Sequence, residues 1–316
     1  MTTSDDHADK LYRFSFDGLP MRGQWVRLEA SLSEAFSNHV YPAPIADLLA
    51  TQLAAVAMFA DNLKFQGAVA LQSRGSGALL RSLAECREQH KLRGIAHLDQ
   101  TQFEQQPQLS TEEDLRHWLG QGQLALSLID RASGHIVQQA MIELNAADLA
   151  RNLENYFVRS EQLPTLIYFG RATTPLTSVT ALLLQRLPAP SNATDMALQS
   201  HDEAWATATA LADTLRGDPQ GELAELAPLA LLQRIFHEFP CRLHPPRALT
   251  YACTCSKRKS DRTLLTLGAE ELRSILDELG HVQVDCEFCG RRYQYGAVEI
   301  ANLKQQGPED EPAPLH

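Results

Sequence analysis

Three absences narrow the field before any motif is read. The first ten residues, MTTSDDHADK, are polar and acidic, with neither a cationic start nor an apolar segment behind it. That composition predicts a chain that is not exported through a secretory leader. No uninterrupted apolar run reaches the roughly 20 residues a membrane span needs. The nearest, residues 45–60, is broken by Asp47, Thr51 and Gln52 and reads as a buried helix. Positive charge is also scarce. Lys and Arg number 28 against 39 Asp and Glu, giving a net charge of -11 and a pI near 5.5. Such a surface repels a phosphate backbone, so neither a nucleic acid nor a membrane is an expected partner.

Catalytic constellations are missing too. Gly75-Ser76-Gly77 lacks the GxxxxGK[ST] pattern of a phosphate loop and sits where a hairpin turn belongs. With no triad and no paired carboxylates in view, the chain reads as a non-enzyme. Cysteines number six in a chain without an export signal. Close cysteine pairs in such a chain point to a reducing compartment, the cytoplasm, and to a metal more than to permanent disulfides.

What is present begins with size. At 316 residues, 44% hydrophobic and 21% charged, the chain has the make-up of a globular protein with one main domain and smaller units. Residues 1–190 read as a mixed α/β (α+β) core domain. Leu124, Leu126 and Leu128 alternate, Ala132-Ser133-Gly134 turns, and residues 135–144 return, which predicts a β-hairpin. Val69 and Leu71 lead into another strand and turn. Leu149, Leu153, Tyr156 and Phe157 share one face of a helix over 147–159, and strands over 165–169 and 179–187 are expected to close the sheet.

Pro188 to Asn192 marks a boundary, and residues 191–250 read as a helical linker. Trp205, Ala208, Ala212 and Leu215 line one helix, which Gly217 and Pro219 end. Leu229, Leu232, Phe236 and Phe239 line a second after Pro228. Both stripes need a partner, either permanently on the core domain or as a conditional surface. Residues 251–303 form a unit too small for much core, with a helix over 269–279, and small units of this kind are usually stapled by metal. Residues 304–316 read as a disordered tail.

The staple is legible. Cys253-Thr254-Cys255 is followed by thirty residues and then Cys286-Glu287-Phe288-Cys289-Gly290. Two close pairs make one tetrahedron, and an all-thiolate set without an open position is the arrangement of a structural Zn2+, one per chain. Gly290 lets the backbone turn so that amide N–H groups reach the sulfurs. Four thiolates around Zn2+ leave a net charge near minus two, which Lys257, Arg258, Lys259, Arg262, Arg291 and Arg292 are placed to offset. Across 251–303 there are seven basic and eight acidic residues, so the unit is no nucleic-acid patch. Cysteines this close in sequence can also be bridged, so that metal and disulfide become exclusive states. Four cysteines permit three connectivities. Cys86 and Cys241 are lone thiols and fall outside the site.

These residues resemble the 33 kDa heat-shock protein family, redox-regulated holdase chaperones of bacteria. The resemblance spans nearly the whole chain. It includes the four cysteines, residues 153–164 (LENYFVRSEQLP), the Leu63-Lys64-Phe65 segment, Arg93-Gly94 and Leu183-Leu184-Gln185. It implies an ATP-independent chaperone for unfolding clients that is inactive while thiolates hold zinc. Oxidation would join Cys253 to Cys255 and Cys286 to Cys289, release zinc, unfold the linker and promote homodimers. Ser178 to Ala181 lacks the paired glycines expected of the family, and Cys241 is an extra thiol. Two alternatives use the same cysteines differently: a thiol-disulfide oxidoreductase acting through Cys286 and Cys289, and a static zinc-ribbon docking module.

Overall fold

A computed structural model describes residues 4–306, apart from 63–66, 106–114, 173–175, 190, 192–193 and 219. The Leu63-Lys64-Phe65 segment, Pro219 and residues 307–316 therefore lie outside the described residues. The chain divides into two units, residues 1–252 and 253–316.

The first unit opens with β1 (Lys10–Phe16), β2 (Met21–Leu28), the short helix α1 (Ala30–Phe36) and the long helix α2 (Ala43–Asn62). Then come β3 (Gly67–Arg74), β4 (Leu79–Arg87), β5 (Lys91–Leu98), α3 (Gln100–Glu104) and α4 (Leu115–Leu119). The hairpin of β6 (Gln123–Asp130) and β7 (Ile136–Ile142) follows, then α5 (Leu149–Arg159), β8 (Thr165–Arg171) and β9 (Val179–Arg186). The rest comprises α6 (Asp195–Asp213), a 3-10 turn over Thr214–Gly217, α7 (Glu222–Glu225), α8 (Pro228–Ile235), β10 (Cys241–Leu243), β11 (Arg247–Ala248) and β12 (Thr250–Tyr251).

The strands form two sheets where one was expected. One runs β10-β1-β2-β9-β8, with β11 also on β1; the other runs β12-β5-β4-β3-β6-β7. β8 and β9 therefore close a sheet with β1 and β2, not with the β6–β7 hairpin. The reason is α2, which packs on β2 and β9 of the first sheet and on β3, β4 and β5 of the second. A helix apolar on nearly every face needs cover on both sides. Leu49, Leu53, Val56 and Met58 are all buried. By length and composition α2 would also suit a membrane, yet it is the central layer of this unit. Asp61 at its end is buried and held by Arg13 at 2.6 Å, Arg247 at 3.2 Å and Gln24 at 2.7 Å.

Gly75 and Gly77 turn the chain between β3 and β4 against the backbone of Leu119. A side chain at Gly75 would place its Cβ 2.2 Å from the Leu119 carbonyl oxygen, so close packing, not phosphate, requires these glycines.

Residues 191–250, expected as a separate linker, belong to the first unit. The outer face of the first sheet presents Tyr12, Phe14, Phe16, Met21, Trp25, Tyr168, Leu182 and Leu184. Ala208, Ala212, Leu215, Leu223, Leu231, Leu232, Ile235 and Phe236 cover it. The apolar stripes of α6 and α8 thus pack on the core. The expected stripe of α8 is buried at Leu232 and Phe236 and is widened by Leu231 and Ile235, whereas Leu229 is exposed. The segment is also not wholly helical, since β10 and β11 pair with β1.

In the second unit, α9 (Lys257–Leu265) and α10 (Ala269–Leu279) precede a hairpin of β13 (Val282–Asp285) and β14 (Arg292–Tyr295), and α11 (Ala297–Gln306) closes it. Leu264, Leu272, Val282, Tyr295 and Ile300 make the core. α11 takes in residues 304–306, where the sequence predicts the start of the tail.

Candidate metal centre

The two cysteine pairs are placed by different means. Cys286 and Cys289 lie in the loop joining β13 to β14. There the Cys286 N–H donates to the Arg291 carbonyl at 2.9 Å, and the Gly290 N–H donates to the Cys286 carbonyl at 2.8 Å. Gly290 takes φ 64°, a left-handed conformation that costs glycine nothing. Cys253 and Cys255 precede α9, whose N-cap is Ser256: its side chain accepts from the Lys259 N–H.

All four sulfurs lie within 4.8 Å of one another. Cys253 Sγ is 3.6 Å from Cys286 Sγ, and Cys255 Sγ is 3.4 Å from Cys289 Sγ. A tetrahedral zinc with Zn–S near 2.3 Å sets its sulfurs about 3.8 Å apart, so the cluster has the size of such a site. The thiols are half-buried and unbridged. The donor set, four thiolates and no carboxylate or imidazole, suits Zn2+ and leaves no position for a reacting water.

Around the sulfurs the surroundings are uneven. The Tyr293 hydroxyl donates to Cys255 Sγ at 3.2 Å. Burial raises the Cys255 thiol, but Tyr293 and the neighbouring thiols outweigh it and bring the group down to about 7. Burial dominates at Cys253 and Cys289 and pushes both up, while the Cys255 N–H, bonded to Cys253, and the Arg291 N–H, bonded to Cys289, oppose it. Amides do therefore reach the sulfurs, as expected from Gly290.

The flanking cations divide. Arg291 interacts with Tyr293, Cys255 and Cys289. Lys257 instead binds Glu299 at 2.6 Å and lies over the Tyr295 ring, and Arg292 binds Asp285 at 3.2 Å. Tyr293 was missed from sequence; its signal is its place on β14, four residues past Cys289. Cys86 is buried in β4, where burial pushes it up to about 12. Cys241 lies half-buried in β10, raised to about 11 by burial and Asp17.

The model of the family described as Hsp33 protein matches residues 9–296. The chain is 35% identical over 311 residues to the 33 kDa chaperonin of Pseudomonas savastanoi pv. phaseolicola, covering 97% of each chain. It is 36% identical over 292 residues to that of Ectopseudomonas mendocina, covering 92% of this chain and 93% of the relative. The fold is similar to the crystal structure of the Thermotoga maritima 33 kDa chaperonin. The TM-score is 0.75 at 22% identity, covering 96% of this chain and 100% of that one.

Proposed function

Because the chain belongs to the Hsp33 family, chaperones and not enzymes, we propose that it is a redox-regulated, ATP-independent holdase of the cytoplasm. The observation that carries this reading is the pairing of a four-thiol cluster with an apolar sheet face that residues 195–236 cover. In the reduced protein Cys253, Cys255, Cys286 and Cys289 would hold one Zn2+, which supplies the staple a five-residue core needs. Oxidation would spend the thiolates on disulfides, Cys253 with Cys255 and Cys286 with Cys289.

Each bridge forms as two thiolates give two electrons to an oxidant such as peroxide or hypochlorite, and the metal loses its donors. All four thiols are free, whereas a disulfide holds its sulfurs about 2.05 Å apart, so closing the local bridges requires the side chains to move together after zinc leaves. With its staple gone the second unit unfolds. Release of the cover then bares Tyr12, Phe14, Phe16 and Trp25 to unfolding clients and to a second copy of the chain.

The test follows zinc release and suppression of a client's aggregation together, in reductant and after peroxide at mild heat or hypochlorite. Activity that rises with zinc release is expected, and equal activity in both states would sink the switch. Zinc retained under oxidants would favour a docking module, and turnover in a disulfide-reductase assay an oxidoreductase.

A further inference from the structure

Apolar burial holds the covering segment on the sheet, and polar contacts fix its position: Arg186 of β9 binds Asp202 of α6 at a partly exposed site, and Arg27 and Arg216 reach across at buried ones. Arg27 of β2, itself buried, donates to the carbonyls of Ala224 and Leu226 at 2.7 and 3.1 Å and to Thr180 Oγ1 at 3.0 Å. Those acceptors on the cover are backbone, so side-chain changes there leave them in place.

Arg216 works from the opposite side. It sits in the 3-10 turn after α6 and reaches Glu154 of α5 at 2.6 Å, Asp213 at 2.7 Å and the Ile167 carbonyl at 3.3 Å. Its guanidinium lies 4.3 Å from the centre of the Tyr168 ring, whose hydroxyl donates to Asp213 at 3.0 Å. Glu154 is buried and also accepts the Ile167 N–H at 2.7 Å and the Arg151 guanidinium at 3.4 Å. One side chain of the cover thus ties together α5, β8 and its own turn. Glu154 belongs to the 153–164 motif, whose role the metal centre leaves unexplained.

We propose that Arg216 and Glu154 form a clasp that keeps the cover closed over the sheet, and that opening it releases the cover without oxidation or loss of zinc. This rests on the holdase reading above, in which the covered face binds clients. The physical basis is the asymmetry of a desolvated pair: removing Arg216 leaves buried Glu154 with the longer Arg151 contact at 3.4 Å, and removing the Glu154 charge leaves Arg216 with Asp213, whereas the apolar contacts of α6 and α8 stay as they were. Solvent at the Arg216 end tempers the effect, since its side chain is 20% exposed.

The experiment uses the full-length chain, reduced and zinc-loaded. Arg216→Met keeps the stem over Tyr168 and removes the charge. It is expected to raise binding of a hydrophobic-surface dye, and suppression of client aggregation in reductant, at least about tenfold over wild type, with zinc content unchanged. Glu154→Gln is expected to act in the same direction and carries the test if Arg216→Met does not fold. Arg234→Met, which breaks only the exposed pair with Glu222, is expected to stay closed.

Folded Glu154→Gln or Arg216→Met protein that remains as closed as wild type in reductant overturns the clasp. So does opening that requires zinc loss, or opening by Arg234→Met to the same extent. If oxidised wild type suppresses aggregation while both clasp variants stay closed, the clasp alone fails. If oxidised wild type is inactive, the holdase reading fails.

Discussion

Stripping the metal from the reduced protein is expected to unfold the second unit and leave α2 and the two sheets of the first unit folded. The magnitude follows from the size of the second unit. Its buried core is Leu264, Leu272, Val282, Tyr295 and Ile300, and a core on that scale rarely supplies more than about 3–5 kcal/mol. A structural zinc contributes on the order of 10 kcal/mol or more, so its removal exceeds everything the core can give. The assay is hydrogen exchange read by mass spectrometry, in a phosphine reductant with and without a strong zinc chelator. Peptides from α10 and from β13–β14 should lose protection on chelation, while those from α2, buried between two sheets, should keep theirs. Cys286→Ser should give the exposed pattern without chelator. Retained protection in α10 and β13–β14 after confirmed zinc loss would refute the reasoning, because the unit would then be stable on packing alone.

Other perturbations have equally definite outcomes. Tyr293→Phe removes the hydroxyl 3.2 Å from Cys255 Sγ and should weaken zinc about tenfold against a chromophoric chelator; unchanged affinity would show that the hydroxyl does not support the site. Asp61→Ala removes the hydrogen bonds that Arg13, Arg247 and Gln24 make to a buried carboxylate and should cost about 2–3 kcal/mol, a fall of roughly 4 °C or more in Tm by calorimetry; a shift under 2 °C or so would count against a stabilising role. Cys241, raised to about 11, and Cys86, raised to about 12, stay neutral in the folded chain. Alkylation of Cys241 at pH 8 should therefore be slow and rise about tenfold per pH unit. Burying neutral thiols also means that stability is full below the ordinary thiol value, about 8.5, and declines as pH rises past it. Fast labelling of native Cys86 at pH 8 would contradict its burial.

Legibility in the sequence followed the range of the interaction. The β6–β7 hairpin could be read because the alternation of Leu124, Leu126 and Leu128 and the Ala132-Ser133-Gly134 turn are local. The span of α10 matched because Gly268 and Gly280 bound its periodic residues. The four cysteines could be paired because ligand spacing is a chemical requirement. Helix α9 was missed because only Ser260 and Leu264 are buried in it, which leaves no stripe in a charged run. β10, β11 and β12 have three, two and two residues, too short for alternation to register. The division into two sheets depends on α2 finding cover on both sides, and that pairing joins segments far apart in the chain. Arg216 with Glu154 is hidden for the same reason: 62 residues separate them, and neither spacing nor residue type announces the bond.

One short segment has a mechanical consequence. Residues 247–252 leave the first sheet at β11, cross by way of the buried Leu249, whose N–H donates to the Asp9 carbonyl at 2.7 Å, and join β5 of the second sheet through β12. The last bond before Cys253 is from the Ala252 N–H to the Leu92 carbonyl at 2.8 Å. Tension on the chain at Cys253 is therefore borne first by the short β12 ladder on β5, whose bonds include this one and that of Thr250 N–H to the His90 carbonyl at 2.9 Å. Loaded this way the segment peels like a seam, one stitch at a time, and a force too small to shear either sheet would still part the thread that sews them together.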